Sequence, residues 1–270
     1  MNLPLVAVRA VYFIAALQLF GWLIFDLFIG QAGWGRRASL LAAVALIAIT
    51  ARLAIETTLM SGAPISGETL GVVLCETQFG ALWIWRAVLL VGLLVLPFWR
   101  SRAAIFVSVI GAGLVLAFTA AAGHGGADGS TVHLMGDAIH LLAVGAWLGG
   151  LFPFAVAMRR LDASSIAWRF STLGVISVFV ILATGAINTW FMVGNIRALL
   201  GTPYVRLLLI KFVLFCVMVS VAAINRLRLM PSGDIAALRR NAEIETALGV
   251  AIIIIVAALG TMPPADGAST

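Results

Sequence analysis

Eight apolar runs succeed one another along this chain with little between them. Each is close to the roughly 20 residues that a helix needs to cross the hydrocarbon core of a bilayer. They cover 4–27, 38–59, 80–98, 103–122, 133–157, 170–192, 204–224 and 242–261. Backbone inside lipid has to satisfy its own N–H and C=O groups, so the runs read as helices. Apolar residues make up 63% of the chain and charged residues 10%, where a soluble domain is roughly half apolar and a quarter charged. The expected fold is an all-α integral membrane protein of about eight transmembrane helices, a single polytopic domain over 1–270. The longest polar stretches, around 60–79, 123–132 and 226–240, are loops and too short for a soluble domain. The N-terminus carries neither a basic leader nor a small-residue cleavage site, so it reads as a retained first span.

The net charge of +6 would suit a nucleic-acid partner, but its distribution excludes one. The basic residues stand in pairs between apolar runs, where they report topology. Arg36 and Arg37 follow the first span, Arg100 and Arg102 the third, Arg159 and Arg160 the fifth with Arg169 nearby, and Arg226, Arg228, Arg239 and Arg240 the seventh. The alternate loops hold Glu68, Glu76 and Asp128, with Arg197 the basic exception. Positive-inside then predicts odd-numbered loops in the cytoplasm and both termini outside, which in a bacterium means the periplasm. Cys75 and Cys216 lie far apart and support neither a disulfide framework nor a zinc-type cluster.

The halves 1–125 and 126–270 echo each other. Thr77, Phe79 and Arg86 at the third span recur as Thr202, Tyr204 and Lys211 at the seventh, an offset of 125 that also lays Trp22 over Trp147. Two parallel four-helix repeats about an axis along the membrane normal would produce this pattern.

All three histidines, His124, His133 and His140, fall within seventeen positions. His124 ends the fourth span among glycines, and His133 opens the fifth. His133, Asp137 and His140 stand at i, i+4 and i+7 and share one helix face. Imidazole and carboxylate are costly in so apolar a chain, and together they suggest a metal site. Imidazole suits copper, zinc, nickel and iron, while thioethers favour Cu(I), and Met60, Met135, Met192 and Met262 fall near the same surface by this topology. Asp137 either ligates or orients a histidine through its second ring nitrogen; a first-turn acid favoured by the helix dipole is the plain alternative. His133 and His140 are about 10 Å apart along the axis, which suits successive sites better than one.

Further elements join these. Gly123-His124, then His133-Leu134-Met135-Gly136-Asp137-Ala138-Ile139-His140-Leu141-Leu142, then Trp147-Leu148-Gly149-Gly150-Leu151 resemble the CopD/PcoD family of bacterial inner-membrane copper resistance proteins. Thr77-Gln78-Phe79-Gly80 with Arg86, Arg169-Phe170-Ser171, Thr184-Gly185 with Asn188, Lys211, Asn225-Arg226, and Gly260-Thr261-Met262-Pro263-Pro264 agree with it. The resemblance implies copper homeostasis and movement of copper, as Cu(I) or Cu(II), across the inner membrane, from periplasm to cytoplasm. It also implies a separate periplasmic carrier of the CopC kind as partner, besides the bilayer itself. Homo-oligomerisation is left open.

The metal ligands expected on this reading are His124, His133, Asp137, His140, Met135 and Met262. Charges inside the membrane are functional candidates by default. Arg9, Arg52, Glu56, Arg86 and Lys211 are such charges, with Arg52 and Glu56 placed to pair at i, i+4. Arg86, Lys211, Glu56, Asn188 and Trp147 are expected to line the path or tune its charge. Below His140 the fifth span offers only Trp147 and small apolar residues, so other helices, through Asn188 or Thr184, have to continue any polar route. Gly145 and Gly149 form a small-residue face that allows close helix packing.

A non-transporting copper sensor or docking protein would carry the same ligands. A haem-binding electron-transfer protein is the third reading, but His133 and His140 share a helix, which leaves His124 or a methionine as the opposing ligand. No nucleophile–base pair, phosphate loop or Walker motif occurs, so neither an enzyme nor an ATP-driven pump is expected.

Overall fold

The computed structural model describes residues 2–30, 35–99, 101–123, 130–159, 163–192 and 202–262. Among these residues the chain is helical and contains no strand, as the apolar runs require. Eight helices have the length and apolarity to cross a membrane: α1 (Leu3–Phe28), α2 (Gly35–Ser61), α4 (Gln78–Val95, extended by a 3-10 turn Leu96–Phe98), α5 (Arg102–Ala121), α6 (Thr131–Ala157), α7 (Ala163–Met192), α8 (Pro203–Ile224) and α9 (Ile235–Leu259). A short α3 (Gly67–Glu76) precedes α4. α8 continues through a π turn, Asn225–Leu229, and one further helical turn, Met230–Ser232.

Polar residues just before the apolar runs set most of the helix starts. Asn2, Thr77, Ser101, Ser130, Thr202 and Asp234 each accept, through the side chain, the backbone N–H three residues on, satisfying a donor the helix leaves open. Gly233, at φ 71°, ends the α8 extension in the left-handed region where a side chain would be strained.

α1 is the central helix. It packs on α6, α2, α5 and α9, and Leu19, Leu23 and Phe25 are fully enclosed. Its contact with α6 is close because glycines meet there. A Cβ on Gly21 would overlap the backbone of Gly149, and one on Gly149 would overlap the Leu17 carbonyl. A Cβ on Gly145 would press on Phe20. The small-residue face of α6 therefore seats the histidine helix against the centre of the bundle. Gly150 faces the Phe170 ring in the same way, which brings α7 against the other side of α6.

With eight spans, the start of α1 and the end of α9 lie at one face. Val6 and Ala10 pack on Ala257 and Ala258, and Arg9 lies against Gly260. α8 is the least buried span. It leans on α9, and among the described residues it shares almost no packing with α7. A gap floored by α6 is left between α7 and α8.

Candidate functional site

The face of α6 that carries His133, Asp137 and His140 meets a matching polar stripe on α7. Thr184 and Asn188, one turn apart, are both buried. The helices run antiparallel, so the deeper Thr184 meets His140 and the shallower Asn188 meets Asp137. Asn188 Nδ2 donates to Asp137 Oδ1 at 2.6 Å. His140 Nδ1 and Thr184 Oγ1 are 2.9 Å apart. The Thr184 hydroxyl proton is already given to the Val180 carbonyl at 2.6 Å, so Thr184 accepts and His140 Nδ1 carries the hydrogen. Nε2 then keeps its lone pair, the form in which imidazole binds a metal. Small residues make room for this pairing. A Cβ on Gly136 would come 3.1 Å from Asn188 Oδ1, and one on Gly185 would lie 3.7 Å from His140 Cε1.

α8 supplies the far wall. Lys211 lies within electrostatic reach of both His140 and Asp137, and Tyr204 within reach of Asp137. Met262 packs on the cluster of Tyr204, Val205 and Leu259 at the terminal face, and so stands at the mouth of this site. His133 is 2% exposed and lies nearest the terminal face; its backbone N–H is capped by Ser130. Met135, two residues on, is 58% exposed and turns away from the histidine face, as a rotation of about 200° over two helical residues requires. His124 lies outside the described residues.

Among the described residues no group of three or more His, Cys, Asp and Glu side chains is close enough to hold one ion. The ligand types are instead spread along α6 as His133, Asp137 and His140, each with its own surroundings. Cys75 and Cys216 are both free and exposed.

Below this site the gap narrows to an aromatic pair. Trp147 and Phe215 meet edge to face, with ring centroids 6.3 Å apart. Phe215 is one turn beyond Lys211, and Trp147 two turns beyond His140. On the other side of the pair is a cavity of about 270 Å³. Trp147, Phe154 and Phe179 contribute to its apolar wall, and Asn225, Arg226 and Glu245 close its far end. The polar continuation that α6 lacks thus comes from α8 and α9, across an apolar step.

The remaining charges collect in the first half of the chain. Arg52 pairs with Glu56 at 3.3 Å on the same helix, as their spacing predicts. Arg9 lies within electrostatic reach of both, and Arg52 within reach of Arg86. Arg86 is 1% exposed; its Nε donates to the Leu82 carbonyl, and its guanidinium lies 5.9 Å from the Tyr12 ring centroid. Tyr12 is itself tied to Thr119 by a hydroxyl pair at 2.5 Å. Arg86 and Glu56 therefore belong to a separate cluster that binds α1, α2, α4 and α5 together, away from the histidine face. Lys211 alone of the two positions repeated between the halves faces the histidines.

Sequence reasoning left Glu245 out. A lone carboxyl in an apolar helix is a strong signal, but this one sits near the margin of the run 242–261. Its partner Asn225 enters the sequence reading only through the resemblance, as Asn225-Arg226, with no role attached.

Comparison with known proteins places these features. The family "Copper resistance protein D" matches residues 164–259, and "Copper resistance protein D-like, N-terminal domain" matches residues 1–134. The chain is similar to Copper resistance protein D of Pseudomonas syringae pv. tomato, at 30% identity covering 96% of each chain. It is similar to Inner membrane protein YebZ of Escherichia coli K12, at 28% identity covering 96% of this chain and 98% of the relative. Copper transport protein CutJ of Bacillus subtilis is 29% identical over 70% of this chain and 38% of its own length. No solved structure matches.

Proposed function

This chain belongs to the copper resistance protein D family, and from that premise we propose that it moves copper across the bacterial inner membrane, from periplasm to cytoplasm. A multi-pass inner-membrane protein follows from the eight spans and from the relatives' names. The positive-inside distribution supports a periplasmic terminal face, with His133 and the mouth at Met262. A periplasmic carrier of the CopC kind hands copper over there. Copper is the cargo, passed from His133 to the pair His140 and Asp137. Met262 assists at the mouth, and His124 is a further ligand.

One observation carries this reading: with its proton on the Val180 carbonyl, the Thr184 hydroxyl accepts from His140 Nδ1 and leaves Nε2 its lone pair. A histidine kept for packing alone needs no fixed tautomer, whereas a metal ligand does. Asn188 fixes Asp137 in the same way. Lys211 neutralises Asp137 between copper passages and keeps the site from trapping the ion. Trp147 and Phe215 close the path below the site, so copper advances only when α8 moves. α8 can do so because it leans on one neighbour and meets α7 hardly at all.

The test is copper uptake into sealed proteoliposomes. The native chain is expected to transport, and His140→Ala to lose uptake by a hundredfold or more while still folding. Copper bound by the native protein without any flux would overturn transport and leave the sensor or docking reading. Absence of both would remove copper from the histidine face altogether.

A further inference from the structure

The far end of the 270 Å³ cavity holds a carboxyl group that the copper path does not account for. Glu245 is ten residues into α9, about 15 Å from its start, and is 3% exposed. Its Oε1 accepts from Asn225 Nδ2 at 2.7 Å, and Asn225 Oδ1 in turn accepts from Asn241 Nδ2 at 2.7 Å. Amide donors orient a carboxyl but bring no positive charge.

The surrounding charges are engaged elsewhere. Arg226, the other charged residue lining the cavity, donates to Ser171 Oγ at 2.7 Å and lies 5.6 Å from the Trp168 ring centroid. Arg169, on α7, donates to the Ile29 carbonyl. Arg239 pairs with Glu243 on the exposed side of α9 itself. α6 faces the cavity with Trp147, Leu151 and Phe154, none of which titrates. α1 meets α9 at its opposite end, through Val6, Ala10 and Arg9. Among the described residues, then, no cation pairs with Glu245.

A second observation singles out the place. Asn225 opens the π turn Asn225–Leu229, and a π turn inside an otherwise regular helix is a rare feature that recurs at functional sites. Here the widened turn carries Asn225 and Arg226, both of which line the cavity.

A carboxylate taken out of water without a cation is costly. Glu245 is therefore stable in two forms: protonated, or ionised while a cation occupies the cavity. We propose that Glu245 is a proton-binding site on the inner side of the Trp147–Phe215 pair, and that it exchanges its proton for the copper ion entering the cavity, so that copper and protons move in opposite directions. This rests on the transport reading above.

The step balances without redox chemistry. The O–H bond of the carboxylic acid breaks as the cation arrives, and the proton leaves toward the side the cation came from. When the cation departs, a proton from the other side restores the acid. Asn225 Nδ2 serves both forms by holding the accepting oxygen in place.

The experiment uses the full-length protein in liposomes with a pH-sensitive dye in the lumen, the membrane potential clamped by potassium and valinomycin, and protein-free liposomes as reference. Copper uptake by the native protein is expected to alkalinise the lumen in step with uptake. Glu245→Gln, whose side-chain oxygen still accepts from Asn225, is expected to lose the alkalinisation while keeping native copper binding at the histidine face. Glu245→Asp is expected to restore part of it. Infrared difference spectra between acidic and alkaline pH, which need no flux, are expected to show a protonated-carboxyl C=O band that Glu245→Gln lacks. Native copper uptake without alkalinisation would overturn the coupling and leave the transport reading standing, as would Glu245→Gln with an unchanged proton response. If the native chain moves no copper, the transport reading fails, and a missing infrared band then overturns the proton site as well.

Discussion

The hydroxyl of Thr184 decides what His140 can do. One hydroxyl proton and one committed acceptor, the Val180 carbonyl, fix the direction of the next hydrogen bond and with it the tautomer of the imidazole. Thr184→Val keeps the shape of the side chain and removes the acceptor. Loss of such an orienting partner typically weakens metal binding by about 10–100-fold. Copper titration of purified Thr184→Val is therefore expected to give an affinity lower by about that factor, with thermal stability close to native. An unchanged affinity would mean that His140 does not bind copper through Nε2. Asn188→Leu would have a different consequence: it removes the amide donor from Asp137 Oδ1.

At the scale of the helices, glycine decides where the histidine helix sits. The contact of α1 with α6 runs through Gly21, Gly145 and Gly149; at Gly21 and Gly149 an added Cβ meets backbone and not the movable end of a side chain. Gly149→Ala is expected to push α6 away from α1 and cost about 1–3 kcal/mol, the usual penalty of overpacking, seen as a lower unfolding midpoint in detergent. Gly92→Ala is the control, since nothing lies within 4 Å of a Cβ there, and its midpoint is expected to stay at or above native. Equal effects of the two substitutions would remove the argument from close approach. Much at this scale was legible in the chain. Apolar run length gave the spans, and the spacing of Gly145 and Gly149 the packing face. The i, i+4 spacing gave the Arg52–Glu56 pair. The same helical period also turns Met135 away from His133, a consequence that counting methionines near one surface passes over. What the chain did not disclose is pairing across distance. Tyr12 and Thr119 are 107 positions apart, and Asn225 with Glu245 joins two helices whose apolar faces look alike. Only the packing of whole helices decides such partners.

At the scale of the whole molecule, function depends on which face of the bundle meets the periplasm, because the histidine face and the Glu245 cavity lie on opposite sides of the Trp147–Phe215 pair. The orientation rests on basic residues clustered at the loops after α1, α4, α6 and α8's extension, the pattern retained in cytoplasmic loops. The two free cysteines test it. Cys75 is exposed on α3, the short helix on the same face as the termini. Cys216 is also exposed, but it stands in the middle of α8, about 20 Å from the start of that helix, where its surroundings are lipid. A membrane-impermeant maleimide added to intact spheroplasts is expected to label the native protein and Cys216→Ala, and to leave Cys75→Ala unlabelled. Cys75 is on the surface of a ten-residue helix, so replacing it leaves the bundle intact and the comparison clean. Labelling of Cys75 only after the membrane is permeabilised would invert the bundle. The histidine face would then open to the cytoplasm, and the same residues would describe an exporter, with Glu245 exchanging its proton at the periplasmic side.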